Sequence, residues 1–318
     1  MPQIKTLVCL SVLSFVTVRP GCAQNESCQH RTVPISAYDS QGRTIRGFAP
    51  SDFEAKYRKE PVRILSVVPD NRPHRVVILL DSSGGMGSVG RQALAAASDL
   101  AETQLPNTQV ALIIFGEKIN AQIDFSSGQS AVAGRLHQIL SNENNISKFF
   151  YGRTAVFDSL IAGLRLLSNP TSADSLYLVS DAYDNSSHAS FDQVSRQLNS
   201  SGVRLFLVAV FQPMGFRNRT PAELKGTGAI DILVRETGGE IIAPYKQGMP
   251  SNPREIAQIS TAMKAFYSRM TKNDLVEIHL PLAVDKHEKW DLKFSPEKKK
   301  RFKGVELSYP TTLAPCES

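Results

Sequence analysis

The sequence is poor in the residues on which metal hydrolases and disulfide scaffolds are built. It holds four cysteines and six histidines in 318 residues. No His-x-His or His-Glu-x-x-His spacing occurs, which argues against a zinc hydrolase. No Gly-x-Ser-x-Gly elbow occurs either, which argues against a serine hydrolase. Beyond the N-terminal apolar run, no stretch is long and apolar enough to cross a bilayer. Charge imbalance is small: 36 Lys and Arg against 30 Asp and Glu leave a net charge of +6. Part of that excess sits in one run, Lys298-Lys299-Lys300-Arg301-Phe302-Lys303. A nucleic-acid binder would spread basic residues over a face with interleaved aromatics, so no nucleic-acid partner is expected. The basic run reads as a solvated turn between strands, with an anionic surface as the alternative. Internal repeats and long low-complexity segments are lacking too.

What is present begins with a leader. Lys5 precedes an apolar run over residues 7–18, and Gly21-Cys22-Ala23 supplies small residues before Gln24. Charge, length and small-residue exit mark residues 1–23 as a signal peptide, which places the mature chain in the periplasm or outside the cell. A lipid anchor on Cys22 is not expected, because Arg19-Pro20-Gly21 lacks the branched apolar residue that precedes a lipidated cysteine. With Cys9 and Cys22 removed, Cys28 and Cys316 remain. An even pair in an oxidising compartment points to a disulfide tying the two ends together; two free thiols are the alternative. Asn25, Asn145, Asn185, Asn199 and Asn218 head Asn-x-Ser/Thr triplets, which matter only in a host that glycosylates them.

A hydrophobic content of 42% and a charged content of 21% are ordinary for a globular protein. Residues 24–73 carry short alternating runs (33–38, 44–48 and 62–68), the signature of a β-rich segment. Residues 74–270 change rhythm. Continuous apolar runs at 76–80, 109–115, 175–180 and 203–210 read as strands buried on both faces. They are separated by helical patterns at 92–105, 131–140, 155–167, 191–198 and 230–237, with a last helix over 254–270. A short edge strand is expected at 121–125 and another short strand at 240–243. Such βαβ alternation predicts an α/β fold with a mostly parallel, doubly wound, Rossmann-like sheet. Residues 271–318 alternate again and read as a second β-rich segment.

Three loops fall at strand ends or helix starts, where open α/β sheets place their ligand sites. The first is Asp81-Ser82-Ser83-Gly84-Gly85, the second Tyr151-Gly152-Arg153-Thr154-Ala155, and the third Ser180-Asp181-Ala182-Tyr183-Asp184-Asn185. In this order they resemble the metal-ion-dependent adhesion site of von Willebrand factor type A domains. The N-terminal segment is similar to the leader found in a family of secreted bacterial proteins related to these domains. The resemblance implies a divalent cation, Mg²⁺ or Mn²⁺, with Ser83 and Thr154 offering hydroxyl oxygens and Asp81 and Asp181 balancing charge. It also implies a protein partner, whose acidic side chain fills the open position, and no catalysis. The first motif departs from the usual Asp-x-Ser-x-Ser, because residue 85 is glycine and one hydroxyl ligand is missing. That loss makes cation binding weak or absent.

Other readings of the same residues remain. Asp81, Ser83 and Asp181 also suit simple capping of loops and helix starts. Asp184 and Asn185 read as a solvated loop. Gly85-Met86-Gly87-Ser88-Val89-Gly90 spells a dinucleotide motif, but residues 81–84 separate it from the strand that must precede it at once. The rival function is an extracytoplasmic hydrolase using the strand-end acids Asp81 and Asp181.

Overall fold

The computed structural model describes residues 28–142, 146–210, 221–245 and 249–316. The expected signal peptide, Cys22 and the triplets headed by Asn25, Asn145 and Asn218 lie wholly or partly outside them. In chain order the strands are β1 (His30–Tyr38), β2 (Thr44–Ile45), β3 (Phe53–Tyr57), β4 (Glu60–Pro69), β5 (His74–Asp81), β6 (Thr108–Phe115) and β7 (Ile119–Ile123). They continue as β8 (Ser175–Ser180), β9 (Arg204–Ala209), β10 (Ile241–Ile242), β11 (Asp274–His279), β12 (Glu288–Phe294), β13 (Glu306–Ser308) and β14 (Thr312–Leu313). The helices are α1 (Gly90–Glu102), α2 (Gln129–Ser141), α3 (Ile146–Phe149), α4 (Val156–Leu166), α5 (Phe191–Ser201), α6 (Pro221–Glu236) and α7 (Pro253–Thr271).

Two sheets divide the strands. The α/β sheet runs β10-β9-β8-β5-β6-β7, parallel except for the edge strand β7. Its central strands carry uninterrupted apolar runs, such as Val76–Leu80, because both faces are covered. Val76, Ile78 and Leu80 of β5 point to one core, packed by Ala93, Leu100, Leu136, Met263 and Phe266 from α1, α2 and α7. Val77 and Leu79 point to the other, packed by Val156, Leu160, Val194, Leu198 and Leu233 from α4, α5 and α6. The chain leaves β5 toward β6 on one side and later returns to β8 on the other. The carboxyl ends of β5 and β8 therefore lie at a topological switch point, where open α/β sheets place their ligand sites.

The β-rich ends form a single curled antiparallel sheet, β13-β1-β11-β4-β3-β12-β14, with β2 paired to β1. Strands from before and after the α/β region interleave in it, and Cys28 is disulfide-bonded to Cys316. Its core holds Ile35, Tyr57, Val276, Ile278 and Trp290, with a Phe48, Phe53, Phe294 and Phe302 cluster beside them. Phe302 is buried while the lysines around it form the exposed turn expected of the basic run.

Several local expectations need correction. The run over 44–48 is a strand only at Thr44–Ile45, because Gly47 takes a left-handed φ of 83° that ends the extension. The edge strand expected at 121–125 is shifted to Ile119–Ile123; Asp124 leaves it to cap a short turn through Ser126 N and Ser127 N. The strand Phe53–Tyr57 was not expected, although Phe53, Ala55 and Tyr57 alternate inward.

A buried polar seam joins the two sheets. Ser36 Oγ of β1 lies 2.8 Å from Arg269 O and 2.6 Å from Asn273 Oδ1. Arg204, fully buried at the start of β9, donates to Ser36 Oγ at 3.2 Å and to Met270 O at 2.5 Å. Burial brings its guanidinium down to about 10, opposed by the charge of Glu240. Arg269 in turn donates to Glu240 at 2.8 Å and to Gly42 O at 2.8 Å. These bonds fix where the last turn of α7 enters β11.

The disulfide closes a loop with a sequence separation of 288 residues. A Cys28→Ser/Cys316→Ser variant is expected to lose about 2–5 kcal/mol of stability by urea titration, since a long loop is freed in the unfolded chain. An unchanged denaturation midpoint would show that the shared sheet holds the termini without the bond.

Candidate functional site

Asp81 ends β5 and is fully buried. Its Oδ1 accepts the Ser83 N–H at 2.9 Å, and its Oδ2 accepts the Ser180 hydroxyl at 2.6 Å. The carboxylate thus clips together the ends of two neighbouring parallel strands, β5 and β8. Burial pushes its carboxyl up to about 7; the hydroxyls of Ser180 and Ser83 pull the other way, and the charge of Asp181 adds to the rise. Ser180 Oγ also accepts the Ala182 N–H at 2.9 Å. Ala182 holds a left-handed φ of 61°, unusual for a residue with a Cβ, so the chain after β8 is bent sharply.

The three loops are stitched by backbone bonds. Ser82 N donates to Phe115 O at 2.6 Å, and Asn120 Nδ2 donates to Ser82 Oγ at 3.0 Å, fixing the first loop to β6 and β7. Gly84 N donates to Gly152 O, and Tyr151 N to Ser82 O, both at 3.0 Å, so the first and second loops lie side by side. Asn185 Oδ1 accepts Thr154 N at 2.8 Å, and the N–H groups of Asn185 and Ser186 return to Thr154 O at 3.0 Å. Arg153 also donates to Asn185 O. Phe150 closes the second loop against Gly90 at the start of α1. A Cβ at Gly90 would fall 2.1 Å from that ring, so only glycine fits there.

Ser83 Oγ is buried and makes no hydrogen bond of normal geometry, although it is near enough to lower the Asp81 carboxyl. Gly85 opens the space beside it. A Cβ built there would lie 3.6 Å from Asp181 Oδ2 and 3.9 Å from Ser83 Oγ, ordinary contact distances. Asp181 is half-buried, and its Oδ1 accepts Tyr183 N at 3.1 Å. Ser83 and Asp181 therefore flank Gly85, and Asp81 is bonded to the Ser83 amide; Thr154 is buried in the second loop, which the backbone bonds tie to the first and third. Among the described residues no cluster of three His, Cys, Asp or Glu side chains suits a metal. The donor set here is of another kind, two carboxylates and two hydroxyls, which matches the oxygen preference of a hard divalent cation.

The solvated-loop reading holds for the exposed Asn185, although its side chain is bonded to Thr154 N, and is corrected for Asp184. Asp184 Oδ2 accepts Phe157 N at 3.0 Å in the first turn of α4 and also takes the Ser187 hydroxyl. Asp158, in that same turn, accepts His188 N at 3.0 Å and Ala189 N at 2.8 Å. Residues 184–189 are thus tied to the start of α4, where acidic side chains also meet the positive end of the helix dipole. Sequence reasoning missed Ser180, Asn120 and Asp158. Ser180 had a signal, a hydroxyl one step before a strand-end acid, but its partner lies 99 positions away.

The von Willebrand factor type A domain family matches residues 76–182 of this sequence. The Asp81-Ser82-Ser83 loop and its two companions lie within or against that stretch, which matches a von Willebrand factor type A domain. No curated protein sequence matches the chain. Among solved structures, it is similar to an aerotolerance-related membrane protein from Bacteroides fragilis, at 16% identity and a TM-score of 0.44, covering 62% of this chain and 98% of that one. It is also similar to the conserved hypothetical protein BatB from Bacteroides thetaiotaomicron, at 14% identity and a TM-score of 0.38, covering 61% and 99%. A von Willebrand factor type A protein from Catenulispora acidiphila aligns over 90% of this chain and 74% of its own, at 13% identity and a TM-score of 0.37.

The raised Asp81 carboxyl has a signed consequence. A group whose folded value stands above its unfolded one stabilises fully below the unfolded value of about 3.8 and loses that contribution as pH rises through about 7. In chelator, the stability of the parent read from melting curves should therefore fall relative to Asp81→Asn by up to about 1.4 kcal/mol per pH unit between pH 4.5 and 7, and level off above that. A difference between the two proteins that stays flat across that range would contradict the burial argument.

Proposed function

We propose that the chain is an extracytoplasmic, non-enzymatic binding protein that docks a protein partner at the carboxyl edge of its α/β sheet. We assign Ser83, Thr154, Asp81 and Asp181 the holding of a weakly bound Mg²⁺ or Mn²⁺. The observation that carries the reading is the Ser83 hydroxyl, buried without a hydrogen bond of normal geometry next to two carboxylates. Leaving such a group unsatisfied costs about 1–3 kcal/mol, and ligation of a cation offsets that cost. Bound there, the cation would supply an electrostatic contact for an acidic side chain of the partner. Tyr151, 60% exposed in the second loop, offers an aromatic anchor at the same edge.

The von Willebrand factor type A match supports an interaction role. The binding reading is favoured over hydrolysis by the state of Asp81. Both its oxygens are hydrogen-bonded and it has no exposed surface, so it is poorly placed to take a proton from a substrate's water. The extracytoplasmic assignment is supported by the Cys28–Cys316 bond, since such bonds persist in oxidising compartments. Among the described residues no helix is long and apolar enough to cross a membrane.

Calorimetric titration of Mn²⁺ at pH 8 tests the cation. The parent should bind weakly, and Asp81→Ala should not bind. Gly85→Ser should bind roughly five- to tenfold more tightly, because a fixed hydroxyl replaces a water whose immobilisation costs up to about 2 kcal/mol. Gly85 has no left-handed φ and its Cβ direction is open, so the loop accepts the serine. Absence of binding in both the parent and Gly85→Ser would remove the cation from the account.

A further inference from the structure

At the opposite edge of the molecule, the hairpin around β2 lies against the last turns of α7 and leaves an open cleft of about 630 Å³. Four cations line it: Arg43, Arg46, Lys264 and Lys272. Two hydroxyls join them, Thr44 and Ser268. Arg46 and Lys272 also line the adjoining cleft by His74 and Asn107, which places the cations at the amino-terminal edge of the α/β sheet, away from Asp81. None of the residues lining the first cleft is acidic.

We infer that this cleft is a binding site for a phosphate monoester, carried by a small molecule or by a lipid headgroup. The charge balance fits that class. Arg43 is paired with Asp39 at 2.7 Å and Arg46 with Asp274 at 3.0 Å, while among the described residues Lys264 and Lys272 have no ion-pair partner. Two uncompensated positive charges match the charge of a phosphate monoester near neutral pH, about −1.5 to −2.

The fixed donors fit as well. Arg46 spends Nε on Asp274 and Nη2 on Asn273 O at 2.8 Å, which orients the guanidinium and leaves Nη1 for a further acceptor. Thr44 Oγ1 and Ser268 Oγ are 3.0 Å apart, so one proton serves that bond and the other hydroxyl proton is available to an oxyanion. The two lysines add rotatable donors. The carboxyl end of α7 opposes an anion, but with an equivalent of only about half a charge, against two uncompensated cations. That half charge also accounts for Lys272 at the C-cap, though not for Lys264, two turns earlier on the helix.

The test measures binding of inorganic phosphate by calorimetry in chelator, where a cation near Asp81 contributes nothing, and binding to phosphatidylcholine vesicles with and without phosphatidic acid. The parent should bind phosphate, and Lys264→Ala/Lys272→Ala should weaken binding at least about tenfold, since opposed charges dominate such a site. Ser268→Ala, which leaves the net charge unchanged, should weaken it too. Lys299→Ala/Lys300→Ala, the same charge loss on the exposed turn, should leave it as it was. Melting curves establish that all the variants are folded. Added binding to phosphatidic acid vesicles, lost in the cleft variant, assigns the phosphate to a lipid; binding of phosphate alone assigns it to a soluble ester. No phosphate binding by the parent, or equal losses in the cleft and turn variants, would overturn the proposal.

Discussion

The burial of one carboxylate governs the arrangement of the α/β edge. Asp81 sits where β5 ends, out of contact with water, and reaches across to Ser180 at the end of β8 and back to the amide of Ser83. Both oxygens are spoken for, so the two strand ends and the first loop are held in one geometry. The second loop hangs from the first through Gly84 and Tyr151, and the third hangs from the second through Thr154 and Asn185. Remove the carboxylate and each later attachment loses its reference. A buried acid raised from about 3.8 to about 7 costs the bare fold stability as pH rises between those values. That strain is intelligible if a cation completes the site.

The second sheet supplies a different constraint. Its strands come interleaved from the two ends of the sequence, so it ties the regions before and after the α/β sheet to each other. The seam of Ser36, Arg204, Arg269 and Asn273 then sets the position of α7 relative to β1, with polar contacts instead of apolar packing. Buried polar groups of this kind are costly unless satisfied, and they fix a single docking geometry. The disulfide secures the outer edge of the same assembly.

Much of this was legible in the sequence. The uninterrupted apolar strands, such as Val76 to Leu80, announced a sheet covered on both faces, and the three polar loops announced its switch point. The pairing of Cys28 with Cys316 followed from compartment and count. What was not legible depended on distance along the chain. Ser180 serves Asp81 from 99 positions away, and Asp158 anchors a loop 30 positions further on. Neither partner leaves a local pattern. The strand Phe53–Tyr57 did leave one, in its alternation, but only three apolar residues, separated by Glu54 and Lys56, carry it. The interleaving of N- and C-terminal strands is a property of tertiary pairing, for which two separate β-rich stretches give no register.

The central claim is that the buried Ser83 hydroxyl exists to hold a cation with Asp81, Asp181 and Thr154. Anomalous diffraction from crystals soaked in Mn²⁺ tests it most directly. The account predicts a peak within about 2.0–2.3 Å of Ser83 Oγ, with oxygen ligands in near-octahedral order and a water in the space beside Gly85. Ordered loops with Mn²⁺ peaks only elsewhere, and Ser83 Oγ bonded to a protein group instead, would contradict it.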